Sequence, residues 1–290
     1  MDAEIARALS GALARGAITA ILVGALLLAA GRFGRRAAGL LTGLPTVTGP
    51  AMLWLVYDRG EAFTAAAAVS AVAAAIACAT FALGYGLASR SRRPPSALGL
   101  AVLAGLLPVP WMSPLQWPLA LWLLVASVVC LACQGALGAL RRMDHRPSRP
   151  LPRTGARSVP AGSVPAGRGW LTAALVSGLV SALAAVVAVD VGPFWTGLLI
   201  SPPLLAATVA VELHRRPGGA EDTLGFLHGY VAGLLVRGLF VAAFGALLLP
   251  AGTTAAFATA LALTVLAGWL PRVGAALRPT LFAAAVRPKA

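Results

Sequence analysis

The sequence predicts an all-α membrane protein, a polytopic bundle of about nine transmembrane helices. Of its 290 residues, 59% are hydrophobic and 11% are charged, and the mean hydropathy is +0.86. Soluble domains carry about 25% charged residues. Several apolar runs approach or exceed the roughly 20 residues that cross a bilayer as a helix. These runs are too long and too uniformly apolar for barrel strands, which leaves helices as the spanning structure.

Nine apolar runs are the predicted spans, and they form two membrane repeats. Residues 1–140 hold five spans, and residues 170–290 hold four spans and a basic C-terminal tail. Between them, residues 141–169 form a basic linker rich in Pro and Gly, which is expected to be solvated. The spans run over approximately 15–31, 38–57, 62–89, 95–110, 116–140, 170–189, 193–213, 223–249 and 253–271.

The positive charges predict an orientation. With nine spans, 19 of the 23 Lys and Arg residues fall on one side of the membrane and 3 on the other, with Arg237 between them. Because cytoplasmic loops carry the excess of Lys and Arg, the C-terminus is expected in the cytoplasm and the N-terminus outside a bacterial inner membrane. The arginines lie in short segments between spans, so the lipid bilayer is the expected partner and nucleic acid is not. A homo-oligomer is left open.

An internal repeat relates residues 38–62 to residues 196–220. At a constant offset of 158, seven of 25 positions are identical. Five spans in the first half would place the two copies in opposite orientations, an arrangement typical of secondary transporters. Prolines at matched positions predict a break or kink in each helix near mid-depth, either as part of a binding site or as an ordinary kink. The matched residues include Gly39 and Gly197, Pro45 and Pro203, and Gly60 and Gly218.

The segment AGLLTGLPTVTGPAMLWLVYDRGEAF resembles the GlpM family of small bacterial membrane proteins. The similarity lies in the Ala-Gly-Leu start, in Pro45 within the second helix, and in the short charged loop at Arg59 and Gly60. It implies an architecture of a four-helix unit, here duplicated, and implies little about activity. The layout of five and four spans is also similar to that of drug/metabolite transporters, by analogy of fold alone.

One arginine lies inside a predicted span, in the stretch GFLHGYVAGLLVRGLF. Arg237 ends a row of glycines at four-residue spacing, Gly225, Gly229 and Gly233, along which a neighbouring helix is expected to pack closely, and Tyr230 lies close to the same helix face. A central Arg costs about 2.5–3.5 kcal/mol on insertion scales, so it should face the bundle interior. There it is interpreted as an anchor for a carboxylate or phosphate. The alternative is a structural Arg held by an internal salt bridge or by backbone carbonyls.

Two further polar side chains lie near the predicted cytoplasmic side. Glu212 and His228 are expected at similar depth, where they would pair or relay a proton, since His titrates near neutral pH. The alternative is that both side chains reach the headgroup layer. Cys130 and Cys133 form a CxxC that is interpreted as two small apolar residues on one helix face. No metal site and no cofactor is predicted.

The pattern favours a transporter over an enzyme. The chain lacks a P-loop, an HExxH, a Gly-x-Ser-x-Gly elbow and a paired-aspartate motif. The predicted function is secondary transport or export of a small molecule, with anions among the candidates. The alternative is a non-transporting scaffold or assembly component of an envelope or polymer-export system. The predicted substrate-binding residues are Arg237, Tyr230, Pro45, Pro203 and Thr46, and the predicted proton-coupling residues are Glu212 and His228.

Overall fold

A computed structural model describes residues 48–144 and 192–285, except 202 and 217, together with single positions within 11–24, 40–47 and 171–179. Within these residues all regular structure is helical, and no strand occurs among them. The predicted spans at 15–31 and 170–189 and most of the predicted linker lie largely outside the described residues.

Seven helices make up the described fold, and they provide four segments long and apolar enough to cross a bilayer: α1, α2 together with α3, α4, and α7. This is compatible with a membrane protein. The count of nine spans is not confirmed. The helices are α1 Thr48–Ala88, α2 Pro94–Leu106, α3 Val109–Met112, α4 Leu119–Asp144, α5 Pro193–Leu199, α6 Leu204–His214 and α7 Gly219–Ala285.

Helix α1 is a hairpin that reverses at Gly60, which has φ 82° and ψ 171°. A Cβ on Gly49 would lie 3.5 Å from the ring of Phe240, and a Cβ on Gly245 would lie 2.6 Å from Cβ of Ala68. In a straight helix Gly49 and Ala68 would be about 28 Å apart, whereas Phe240 and Gly245 are separated by about 8 Å. Both contacts exist only because the chain turns back, as the boundary between the predicted second and third spans requires.

Helix α7 reverses in the same way at Gly252, with φ 74° and ψ 167°. The Phe257 ring packs edge-on against Phe240 and Phe244, with centroids 5.6 and 6.1 Å apart. Without a reversal, Phe240 and Phe257 would lie about 25 Å apart. The helix does not end at residue 271 as predicted but continues to Ala285. The helix continues through the proline at position 271. Proline removes one backbone donor and costs stability, but its φ is compatible with a helix.

The tips of the two hairpins meet. Oε1 of Glu61 accepts hydrogen bonds from the backbone N and the Oγ1 of Thr253, at 3.2 and 2.7 Å. Gly60 and Gly252 therefore lie at the same end of the bundle, which we call the tip end. Arg59 is at this end, directly before the first turn.

The opposite end of the bundle collects most of the described arginines. A Cβ on Gly86 would contact Leu137 and Leu224, which brings together the ends of α1 and α4 and the start of α7. Tyr85 contacts His214, so α6 ends here as well. We call this the arginine-rich end, and it carries Arg90, Arg92, Arg93, Arg141, Arg142, Arg215 and Arg216.

Residues 61–88 of α1, the core segment, form the centre of the bundle. Ser70 and Cys78 donate hydrogen bonds to the carbonyls of Pro193 and Ser201, at 3.2 and 3.1 Å. Since the two donors are eight residues apart in the sequence and the two acceptors are also eight apart in the same order, α5 runs parallel to the core segment. Gly197 packs directly on its backbone, because a Cβ there would overlap the carbonyl of Ala67. Small side chains allow this close approach in membranes.

Both matched prolines lie at helix breaks. The chain is non-helical at Leu44, Pro45 and Val47, immediately before α1 begins. The predicted span 193–213 is likewise two helices, α5 and α6, with Pro203 directly before α6. Each proline carbonyl accepts a hydrogen bond from the amide four residues on, at 2.8 Å after Pro45 and 2.7 Å after Pro203. The predicted breaks are therefore present at both positions.

The matched glycines of the repeat also have similar backbones. Gly60 has φ +82° and Gly218 has φ +73°, a region that glycine adopts without steric cost. Gly60 lies at the tip end, whereas Gly218 follows α6 at the arginine-rich end. These similarities are local, and the repeat itself stays a prediction.

Candidate functional site at the helix breaks

Arg237 lies inside the bundle, midway between its two ends. It stands 18 residues after Gly219 and 15 before Gly252. Only 6% of its surface is exposed. The prediction that this side chain faces the bundle interior rather than lipid is therefore confirmed.

The guanidinium of Arg237 has a weak hydrogen-bond partner. Its Nη2 donates to Sγ of Cys78 at 3.6 Å, and Tyr230 and Cys130 lie within electrostatic range. Sulfur is a poor acceptor. Among the described residues no carboxylate and no backbone carbonyl pairs with Arg237, although buried cations are normally paired. The alternative of a structural Arg, held by an internal salt bridge or by backbone carbonyls, is therefore not seen in this part of the chain.

Cys78 connects Arg237 to the break between α5 and α6. The same thiol that accepts from Arg237 donates to the carbonyl of Ser201 at 3.1 Å. Ser201 is non-helical, since α5 ends at Leu199 and α6 begins at Leu204. The break near Pro203 therefore lies at the depth of the arginine.

The other break lies at a similar depth. Pro45 precedes Gly60 by 15 residues, and Arg237 precedes Gly252 by 15. The hairpin tips are in contact, and a Cβ on Gly49 would lie 3.5 Å from the Phe240 ring, so Pro45, shortly before α1, lies at about the level of Arg237. The two breaks and the arginine thus share one layer near the middle of the bundle. Thr46 lies outside the described residues.

A cavity of about 610 Å³ extends from this layer toward the arginine-rich end. Its walls are the core segment, α2, the α5–α6 break and α6, and the lining is mostly apolar. Pro203 and Glu212 line it, as do Cys78, Ser201 and Arg215. Two of the predicted site residues therefore face a space of the size that holds a small molecule.

One polar group on the cavity wall lacks a partner in the part of the chain that the structure describes. The side chain of Ser201 is 2% exposed, and its Oγ makes no hydrogen bond to any described residue. Leaving a buried hydroxyl unsatisfied costs about 1–3 kcal/mol. The backbone carbonyl of the same residue is satisfied by Cys78.

The predicted proton-coupling residues face different neighbours. Glu212 lines the cavity, whose opposite wall is α2. Nε2 of His228 lies 3.6 Å from the point where a Cβ on Gly138 of α4 would be. Their pairing and their role in proton transfer stay predictions.

The glycine row is not closely packed at its first member, and the cysteine pair is buried. The prediction that a helix packs closely along the row is wrong at Gly225, where a Cβ would meet nothing within 4 Å. Cys130 and Cys133 are buried free thiols on α4, as expected for small apolar residues. The described residues contain no group of His, Cys, Asp or Glu that could hold a metal ion.

Two residues of the site were not singled out from the sequence. Cys78 lies in an Ala-rich run that gives no sign of its contact with Arg237. Ser201 begins a Ser-Pro-Pro sequence inside an apolar span. This interruption is the sequence feature from which Ser201 could have been identified as a site residue. Only the packing of α5 on the core segment brings the two residues together.

No protein-family model, no curated protein and no solved structure matches the chain. The GlpM-like architecture therefore stays a prediction from the sequence. Function is inferred from the geometry of the site.

Proposed function

We propose that the protein is a secondary transporter or exporter of a small anionic molecule, with its substrate site in the layer of Arg237 and the two helix breaks. The observation that carries this proposal is the coincidence of three features at one depth. Discontinuous helices in matched positions of two halves are the usual substrate sites of such transporters. Pro45 and Pro203 would shape the site by freeing backbone groups there.

Arg237 is the proposed substrate contact. A guanidinium binds carboxylate or phosphate through two parallel hydrogen bonds. Its described partner is a thiol, a weak acceptor that an anion would replace with a large gain in electrostatic energy. Tyr230, 2% exposed and near the guanidinium, would support the position of the arginine rather than line the cavity.

The proposal places the protein in a bacterial inner membrane with the arginine-rich end in the cytoplasm. The rule that positive charge stays inside supports this orientation. The positions of Gly60 and Gly218 at opposite ends are compatible with an inverted repeat of GlpM-like units. We propose no catalytic role.

Alternating access is the property to test, because it needs no knowledge of the substrate. All three cysteines are replaced by Ala, and a single Cys is introduced as Ser201→Cys. Right-side-out and inside-out vesicles are treated with a membrane-impermeant thiol reagent. A transporter exposes this layer to each side in turn, so labelling is expected from both sides.

The control is Val128→Cys in the same background, at a position of α4 that is 57% exposed and would face lipid under the proposal. It should resist the reagent from both sides. Labelling of Ser201→Cys from one side only, or from neither, contradicts alternating access. That result favours the scaffold or assembly component of an envelope or polymer-export system.

A further inference from the structure

The cavity differs from a site for a small polar anion, because its walls are largely apolar. The core segment contributes Ala74, Ala77 and Phe81, and α2 contributes Leu98 and Val102. The α6 wall alternates aliphatic and polar side chains, which are Leu204, Ala207, Thr208, Val211 and Glu212. A hydrated metabolite would lose its water against the apolar parts of these walls without replacement hydrogen bonds.

Polar groups lie at both ends of the cavity, with Glu212 and Arg215 toward the arginine-rich end and a second set at the deep end. The Ser201 hydroxyl, unpartnered among the described residues and 2% exposed, is on the cavity wall there. Cys78 shares this end, and the Arg237 guanidinium lies 3.6 Å behind its sulfur. The cavity is therefore mostly apolar between its ends, and its inner end combines a hydroxyl that has no described partner with a cation that no described carboxylate pairs.

The α2 wall is open to the lipid side. Val102 and Leu106 line the cavity, and their side chains are 43% and 57% exposed at the surface of the bundle. The α2 side of the cavity therefore carries side chains that are accessible from outside the bundle.

We propose that the cavity binds a hydrophobic organic anion, with its apolar body against α2 and α6 and its anionic head at Ser201. Ser201 Oγ donates a hydrogen bond to the head, and the head replaces the Cys78 thiol as the hydrogen-bond acceptor of Arg237. A volume of about 610 Å³ lies within the range of roughly 300–1,000 Å³ of small-molecule sites. The inference rests on the proposed function, since it names the substrate class of the same site.

Three probes separate the contribution of the alkyl group from that of the negative charge. Decanoate has both a long alkyl group and the charge, decanol has the alkyl group without the charge, and acetate has the charge without the long alkyl group. Each is added to the purified full chain in lipid nanodiscs, and the thermal unfolding midpoint is measured. A ligand that binds the folded state raises the midpoint, and decanoate is expected to raise it well above the effect of either partial probe.

Ser201→Ala distinguishes a ligand contact from a structural role. Because the hydroxyl lacks a described partner, its removal should leave the midpoint without ligand unchanged or raised. The same variant should weaken decanoate binding by about 2- to 10-fold, the value of one hydrogen bond. The matched control is Ser70→Ala, which loses a bond to the Pro193 carbonyl and should leave decanoate affinity unchanged.

Cys78 locates the bound probe. A chain with Cys130→Ala and Cys133→Ala keeps Cys78 as its one thiol, and N-ethylmaleimide labelling is followed by mass spectrometry. At ten times Kd, decanoate should slow labelling about tenfold, since only free protein reacts. A chain that keeps only Cys133, on α4 and outside the cavity wall, should show no protection.

Each contrary outcome has a distinct meaning. Equal effects of decanol and decanoate would overturn the proposal in favour of a groove that any lipid chain fills. Equal effects of acetate and decanoate would overturn the apolar part, and no effect of any probe on the midpoint would overturn the whole inference. Decanoate binding without alternating access at Ser201→Cys would reject transport but keep the ligand class, and the reverse result would reject only the ligand class.

Discussion

Helices α1 and α4 are nearly equal in hydropathy, yet they occupy opposite environments. In the most apolar window of α1, 72% of the residues are buried inside the bundle, whereas in α4 the figure is 22%. The difference is one of side-chain size. Residues 65–82 of the core segment are mostly small and read AAAAVSAVAAAIACATFA. Helix α4 instead exposes larger side chains, Leu124, Val128 and Leu131. In a bilayer the lipid is as apolar as the protein interior, so close packing of small residues determines which helix is central.

The largest expected effect comes from enlarging a small residue of the core segment. Ala68 is fully buried. A Cβ built on Gly245 would lie 2.6 Å from the Cβ of Ala68. Ala68→Leu should lower the free energy of unfolding by about 3 kcal/mol or more, because overpacking costs about 1–3 kcal/mol even for small additions. Unfolding in a denaturing detergent measures it.

The same substitution on α4 is the control. Ala132 is exposed on the lipid side, so Ala132→Leu should change the free energy of unfolding by less than about 0.5 kcal/mol. Similar losses for the two variants would contradict the contrast between the helices.

A second prediction concerns glycine. Gly197 of α5 contacts the Ala67 carbonyl and the Ser70 hydroxyl of the core segment. Gly197→Ala should therefore cost about 1–3 kcal/mol through displaced backbone, with a lowered thermal midpoint. At Gly99 on the lipid-exposed α2 a Cβ meets nothing within 4 Å, so Gly99→Ala should stabilise by about 0.5–1 kcal/mol through helix propensity. Changes of equal sign would disprove the assigned packing.

A third prediction tests the contact between the hairpin tips. Glu61→Ala removes the acceptor of two hydrogen bonds from Thr253 and should cost about 1–2 kcal/mol, since hydrogen bonds to a charged group are worth about 1.5–3 kcal/mol before exposure reduces them. A double-mutant cycle with Thr253→Val isolates the pair. A coupling energy near zero would mean that packing alone holds the tips together.

The smallest effect concerns pH at the arginine-rich end. Burial lowers the pKa of His214 below its usual value of 6.5, and a hydrogen bond with the backbone of Ser89 opposes this shift. The neutral ring, 3.3 Å from the Tyr85 hydroxyl at Nδ1, is therefore favoured in the folded state. Its contribution to stability is full above pH 6.5 and is lost as the pH falls below 6.5 toward the lowered pKa, because the unfolded chain protonates first.

Thermal midpoints between pH 7.5 and pH 5 measure this loss. His214→Asn keeps a hydrogen-bond acceptor but cannot titrate, so it should show a smaller decrease over the same range. Equal decreases in the two proteins would assign the pH dependence to other groups.

Much of the local structure could be predicted from the sequence, since it depends on residues close in the chain. The helical class followed from apolar runs that must satisfy their own backbone hydrogen bonds in lipid. The breaks at Pro45 and Pro203 followed from the missing amide of proline, and the turn at Gly60 from a charged glycine loop. The buried orientation of Arg237 followed from the cost of placing a cation in hydrocarbon.

Tertiary packing decided which residues meet. Hydropathy does not distinguish a central helix from a lipid-facing one, because the protein interior and the lipid are both apolar. The thiol of Cys78 contacts Arg237 across 159 positions of sequence, and Ser201 reaches the cavity wall only because α5 lies on the core segment. The sequence by itself determined where helices form and break. The fit of small side chains between them determined the site.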